Sequence, residues 1–203
     1  MKYVDNMIEV AQLQPDYLGF IFYDKSPRFF NGSIPNLPKT IKKVGVFVNS
    51  SMDAITEKVK KYELDAIQLH GDESPEFCEA CRAELGSETH LVEIIKVFSI
   101  KDDFNFDVLK PYEKVCDYYL FDTKGKLPGG NGYTFDWKVL KNYPSTKPFF
   151  LSGGIGLEET ESILAFLERP ESKFCHAIDV NSKFEIEPGL KNKKKIYEFK
   201  SQL

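Results

Sequence analysis

LFDTKGKLPGGNGYTFDW, residues 120–137, sets the frame for the rest of the chain. It opens on the end of an apolar run, Tyr118-Tyr119-Leu120-Phe121, which reads as a buried strand. Asp122 stands directly after that run. An acid at the C-terminal exit of a buried strand is where parallel α/β proteins place their chemistry. Gly125, Gly129, Gly130 and Gly132 follow, with lysines at 124 and 126, as suits a loop whose backbone comes close to a ligand. A helix start is expected at residues 135–137. Taken alone, Asp122 could equally be a helix or turn cap.

Working outward, near-continuous apolar runs recur with helical patterns between them. Strands are expected at 16–23, 43–48, 65–69, 91–97, 117–122, 148–152 and 177–180. Helices are expected at 5–13 with Asp5 as N-cap, from Ser50 or Ser51 to 62, and from Ser74 to about 85. Others are expected at 104–112 (weakly), 135–140, 157–167 and 191–201. Residues 35–40 read as a linker or short helix. Alternation without a break in composition implies βαβ units and one parallel sheet, either a barrel or an open doubly wound sheet.

A length of 203 residues suits one such domain. The formal charge of -4 argues against a general nucleic-acid binder. The lysine run 191–195 reads as a solvated helix start. No apolar stretch is long enough to span a bilayer, and no leader is expected before the first helix. The four cysteines show neither a disulfide nor a zinc framework. Cys78-x-x-Cys81 falls mid-helix with no second pair and no nearby His, so it reads as helix packing rather than a metal or redox site. A cytoplasmic location is expected.

The opening stretch also resembles the phosphoribosylanthranilate isomerase family, which runs there from an Asp-Thr pair through a Gly-Gly-x-Gly loop to Phe-Asp-Trp. LGFIFYDKSPRFF (18–30), VGVFVN (44–49), IQLHGDE (67–73), LSGGIG (151–156) and IDVNSKFE (178–185) carry the same resemblance in the family's order. It implies a (βα)8 TIM barrel occupying residues 1–203 as a single domain. It also implies an isomerase of tryptophan biosynthesis, catalysing the Amadori rearrangement of N-(5'-phosphoribosyl)anthranilate. The reaction needs an acid at the ribose ring oxygen and a base at C2', with no metal and no cofactor. The expected partner is a small phosphorylated substrate, with no nucleic acid or membrane, and the protein a monomer or homodimer.

Carried over by position, Asp122 is the general acid. Arg28 faces the anthranilate carboxylate, and Asp179 lies at the substrate, orienting loops or tuning Asp122. Gly153, Gly154, Ile155, Asn181 and Ser182 hold the phosphate. Without the resemblance, Gly153-Gly154 is a tight turn and Arg28 a surface arginine. Lys183 departs from the family's glycine and would be strained at a positive φ. His70 reads as packing at the rim, and His90 and His176 have no partner signal.

The family's first strand, ending in Cys-Gly with the Cys as general base, has no counterpart in this sequence. The expectation is therefore a barrel whose first strand is missing from residues 1–203, N-terminally truncated relative to the family. The strands at 16–23 and 177–180 would then be left as edges. Two other readings stay open. One is a phosphate-binding relic without a base. The other is a different ribulose-phosphate barrel, such as an indole-glycerol-phosphate synthase-like enzyme with Lys96 as its lysine.

Overall fold

The computed structural model describes residues 1–86, 91–101, 103–123 and 136–203. Seven strands lie in one parallel sheet, in the order of the chain. They are β1 (Tyr17–Ile21), β2 (Lys42–Phe47), β3 (Ala66–Leu69), β4 (Glu93–Ile100), β5 (Tyr118–Thr123), β6 (Phe149–Leu151) and β7 (Cys175–Ile178). Most are short and bury apolar residues on both faces, as a sheet covered on both sides requires. Alternation sends Val44, Ala66, Ile95, Val97, Leu120 and Phe150 to one face, where they form an inner cluster. Phe47, Ile67, Leu69, Ile94, Tyr119 and Phe121 face the helices and join the larger outer core.

The sheet is curled. Tyr17 on β1 reaches His176 on β7, Oη to Nε2 at 2.9 Å, and its ring lies 5.1 Å from that of Phe150. Yet β1 and β7 are the two edges of the sheet and share no backbone ladder. His176 thus has partners that its sequence context did not reveal. Both edges fall where the sequence places them, although β7 begins two residues before the expected 177. The cause is an irregular register beside Phe149, which pairs with Cys175 while Phe150 pairs with Ala177.

The helices α1 (Val4–Ala11), α2 (Met52–Tyr62), α3 (Pro75–Leu85), α4 (Thr160–Leu167) and α5 (Lys193–Gln202) cover the outer face. Ser51 and Ser74 cap α2 and α3 by accepting the N–H of Ala54 and Phe77, each cap worth about 1 kcal/mol. Asp5 is not a cap: α1 starts at Val4 after Tyr3, and Met7, Val10 and Ala11 form the buried face while Ile8 is exposed. Residues 35–40 form no helix, and 106–112 and 137–142 are 3-10 turns, both holding only about two turns. The expected helix at 157–167 is a 3-10 turn, Leu157–Glu159, leading into α4.

The sequence reading missed a hairpin, β8 (Glu185–Glu187) with β9 (Leu190–Lys191), between β7 and α5. It corrects the reading of Lys191, which is a buried strand residue rather than a solvated helix start. Asn6 of α1 holds this hairpin, its Nδ2 donating to Lys191 O at 2.9 Å and its Oδ1 accepting Lys191 N–H at 2.8 Å. Cys78 and Cys81 pack into the outer core from α3, and burial pushes their thiols up to about 11 and about 12. No helix of the described residues is long and apolar enough to cross a membrane.

Candidate active site

Several of the expected residues stand at or just past the C-terminal ends of strands: Asp122 on β5, Gly153 and Gly154 after β6, and Asp179 and Asn181 after β7. Asp122 lies on the inner face of β5, two residues past Leu120, with its side chain 15% exposed. Beside it stands His70, which follows β3, with Nε2 3.5 Å from Asp122 Oδ2. Gln68, also on the inner face, stands with Nε2 3.1 Å from His70 Nδ1. With the Gln68 amide donating to Nδ1, the imidazole proton sits on Nε2 and faces Asp122. His70 therefore lies against the candidate acid, beyond the rim packing expected for it.

Asp179 follows β7, its N–H donating to Leu151 O at 2.8 Å. Its carboxylate accepts from Ser152 Oγ at 3.2 Å. The residue is half-buried, and desolvation raises its carboxyl above the ordinary carboxylate value. Lys191 opposes that shift, and the charge of Asp122 adds to it.

Gly153 and Gly154 take φ of +96° and +69°, where a side chain would be strained. A Cβ at Gly153 would overlap the backbone N of Thr123, so this turn lies against the end of β5. Gly153 O accepts from Thr123 Oγ1 at 3.3 Å. Among the described residues, the N–H groups of Gly153, Gly154 and Ile155 have no acceptor. The Ile155 side chain is buried, so only its backbone can meet a ligand. Ser182 opens a 3-10 turn, Ser182–Phe184, that follows Asn181. Lys183 is not at a positive φ, so the strain considered for it does not arise; its Nζ lies 2.5 Å from Glu158.

Arg28 leaves the loop after β1 and meets Glu185 side-on. Nε lies 3.1 Å and 2.8 Å from the two carboxylate oxygens, and Nη2 is 2.7 Å from Oε2. Burial would raise the Glu185 carboxyl, but Arg28 and Lys191 outweigh it and hold it below the usual range. Lys191 Nζ bonds Glu185 Oε1 at 3.1 Å, Asn181 Oδ1 at 2.6 Å and Asn181 O at 3.1 Å. Arg28 is thus no free surface arginine, and the hairpin links it to Asn181.

Lys96 turns away from the inner face. Its Nζ is occupied by Gly71 O at 2.7 Å and Glu73 Oε2 at 3.1 Å, and the side chains of the pair are 3% and 2% exposed. That removes the lysine an indole-glycerol-phosphate synthase-like site would need. The glycine loop with Lys124 and Lys126, Phe135 and His90 lie outside the described residues. No group of three His, Cys, Asp or Glu side chains among the described residues could hold a metal ion.

The family model for N-(5'-phosphoribosyl)anthranilate isomerase matches residues 1–202. The chain belongs to the N-(5'-phosphoribosyl)anthranilate isomerase family. Family membership makes it an isomerase of tryptophan biosynthesis. It is 41% identical to the isomerase of Parabacteroides distasonis, over all of this chain and 90% of that protein. The crystal structure of the Thermotoga maritima isomerase shares the fold with a TM-score of 0.82 and 28% identity, over all of this chain and 94% of that one. A further isomerase structure, with TM-score 0.76 and 25% identity over 98% of this chain and 92% of that one, holds reduced 1-(o-carboxyphenylamino)-1-deoxyribulose 5-phosphate.

Proposed function

We propose that this chain converts N-(5'-phosphoribosyl)anthranilate into 1-(2-carboxyphenylamino)-1-deoxyribulose 5-phosphate, with Asp122 as general acid. Asp122 protonates the ribose ring oxygen, and the C1'–O bond opens to a Schiff base. A base then removes the C2' proton, and the resulting enolamine tautomerises to the aminoketose. The chemistry asks for no metal or organic cofactor. Support comes first from the position of Asp122, inward-facing at the C-terminal end of β5 beside His70. The carboxylate of the substrate is read by Arg28. The phosphate is held by the backbone of Gly153, Gly154 and Ile155 and by Asn181 and Ser182. Asp179 lies between these two ends and orients the loops after β6 and β7.

The base belongs, in this reading, to an eighth strand filling the gap between β1 and β7, ending in Cys-Gly just before Met1. The strand would complete one (βα)8 barrel. The open edges support this, as does Met1, whose amino group donates to Gly19 O of β1 at 2.7 Å. Assays of the 203-residue chain and of a form extended upstream by that strand check it. The extended form should be faster by about 10²–10⁴, the usual contribution of a general base. Equal rates would remove the base from the gap.

Asp122→Asn keeps the shape and removes the proton donor. In an active form of the enzyme it should abolish turnover while the reduced product analogue still binds. Retention of most of kcat would overturn the assignment of Asp122.

A further inference from the structure

Glu185 has no part in the chemistry just described, yet it is one of the most enclosed charges in the molecule, with a side chain 4% exposed. A buried carboxylate is costly unless its lone pairs are filled. Here they are filled from three sides: the Arg28 guanidinium, Lys191 Nζ at 3.1 Å and Gly189 N–H at 3.1 Å. Gly189 itself sits at φ +89° against Lys2, so the hairpin turn that supplies this N–H has little freedom.

The geometry with Arg28 is specific. Glu185 takes Nε and one terminal nitrogen, Nη2, which fixes the plane of the guanidinium. Nη1 has no partner among the described residues. Arginine without such a clamp samples many rotamers on a long side chain, and ordering it on binding opposes affinity.

We infer that Glu185 is a positioning residue for substrate recognition: it holds Arg28 in the orientation that leaves Nη1 for an aryl carboxylate. The inference rests on the carboxylate-reading role proposed for Arg28. Lys191 serves the same arrangement. It balances the carboxylate and, through Asn181, ties the hairpin to the phosphate loop. The formal charges of Arg28, Glu185 and Lys191 sum to plus one, although burial lowers the Lys191 ammonium, so the guanidinium is the lasting attraction for an anionic ligand.

Calorimetric binding of two probes to the full chain tests this. One is reduced 1-(o-carboxyphenylamino)-1-deoxyribulose 5-phosphate; the other is its descarboxy counterpart, with a phenylamino group. Glu185→Gln should weaken the first at least tenfold and the second less than threefold. A merely structural role would weaken both alike, and that result, or no loss of either, overturns the inference. Glu185→Asp is the companion variant should Glu185→Gln not fold. It keeps the buried charge but retracts it by one methylene, and the same selective loss is expected. Arg28→Met separates the two levels. If the unsubstituted protein and Arg28→Met both bind the probes without preference, Arg28 does not read the carboxylate and the function of Arg28 falls first. If Arg28→Met loses the preference while Glu185→Gln keeps it, only the positioning role falls.

Discussion

Replacing Gly153 by alanine tests the turn that the phosphate reading depends on. Gly153 sits at φ +96°, where an L-residue is strained. Such a conformation costs about 1–3 kcal/mol. The added Cβ would also run into the backbone N and the side chain of Thr123. Backbone cannot swing aside as a flexible side chain can, and forcing atoms into packed structure costs about 1–3 kcal/mol more. The two together give about 2–6 kcal/mol, against a total stability of about 5–15 kcal/mol for a domain. At about 2–4 °C per kcal/mol for this size, Tm should fall by about 4–24 °C. Gly19→Ala is the internal comparison, because a Cβ at Gly19 meets nothing within 4 Å. It should be neutral or stabilising by up to about 1 kcal/mol. Urea titrations of both variants, read by circular dichroism, give the difference. A Gly153→Ala protein within 0.5 kcal/mol (about the error of such titrations) of the parent would mean that the turn relaxes freely and that its conformation is not fixed by β5.

His70→Asn should lower kcat about tenfold, or 1.4 kcal/mol, with KM changed less than threefold; steady-state kinetics of an active form read this. A KM change equal to the kcat change would show that His70 acts on binding rather than beside Asp122. Asp179→Asn bears on pH. The folded carboxyl of Asp179 is raised by burial, so its contribution to stability is fully present below the unfolded carboxylate range, near 3.9, and is lost as pH rises through its folded value. The variant should therefore gain on the parent in urea titrations as pH rises from about 4 to 7. A gap between the two proteins that stays constant with pH would contradict the raised carboxyl.

What the sequence shows of this molecule depends on distance along the chain. The strands were legible because YLGFIFY and YYLF are continuous apolar runs, and the caps at Ser51 and Ser74 because each acts within three residues. The place of Asp122 at a strand end was legible for the same reason, as the first acid after such a run. His70 was not. It follows β3 while Asp122 is on β5, and β4 lies between them. In a flat sheet two strand spacings would hold these residues about 9–10 Å apart. Only the curl brings the side chains to 3.5 Å. The one local signal was the two-residue step from Gln68 to His70, which puts both on the inner face. The hairpin escaped because its strands hold three and two residues, too short for a period to register. Lys191 was then hidden in a lysine run whose other members start α5.

The gap between β1 and β7 joins fold to chemistry. Tyr17 to His176 joins its two edges without a ladder, and the start of the chain is tied to the hairpin by Lys2 N–H to Gly189 O at 3.1 Å, Asn6 to Lys191, and Arg28 to Glu185. Each contact ties the first 28 residues to residues 176–191. A neutral bond of this kind contributes about 0.5–1.5 kcal/mol net, and one to a charged group about 1.5–3 kcal/mol. The bridges are therefore worth several kcal/mol together, and they are not independent. Asn6 fixes Lys191, Lys191 shares Glu185 with Arg28, and the same ammonium holds Asn181. Anything that moves α1 relative to the hairpin displaces Arg28 and the loop of Asn181 at once.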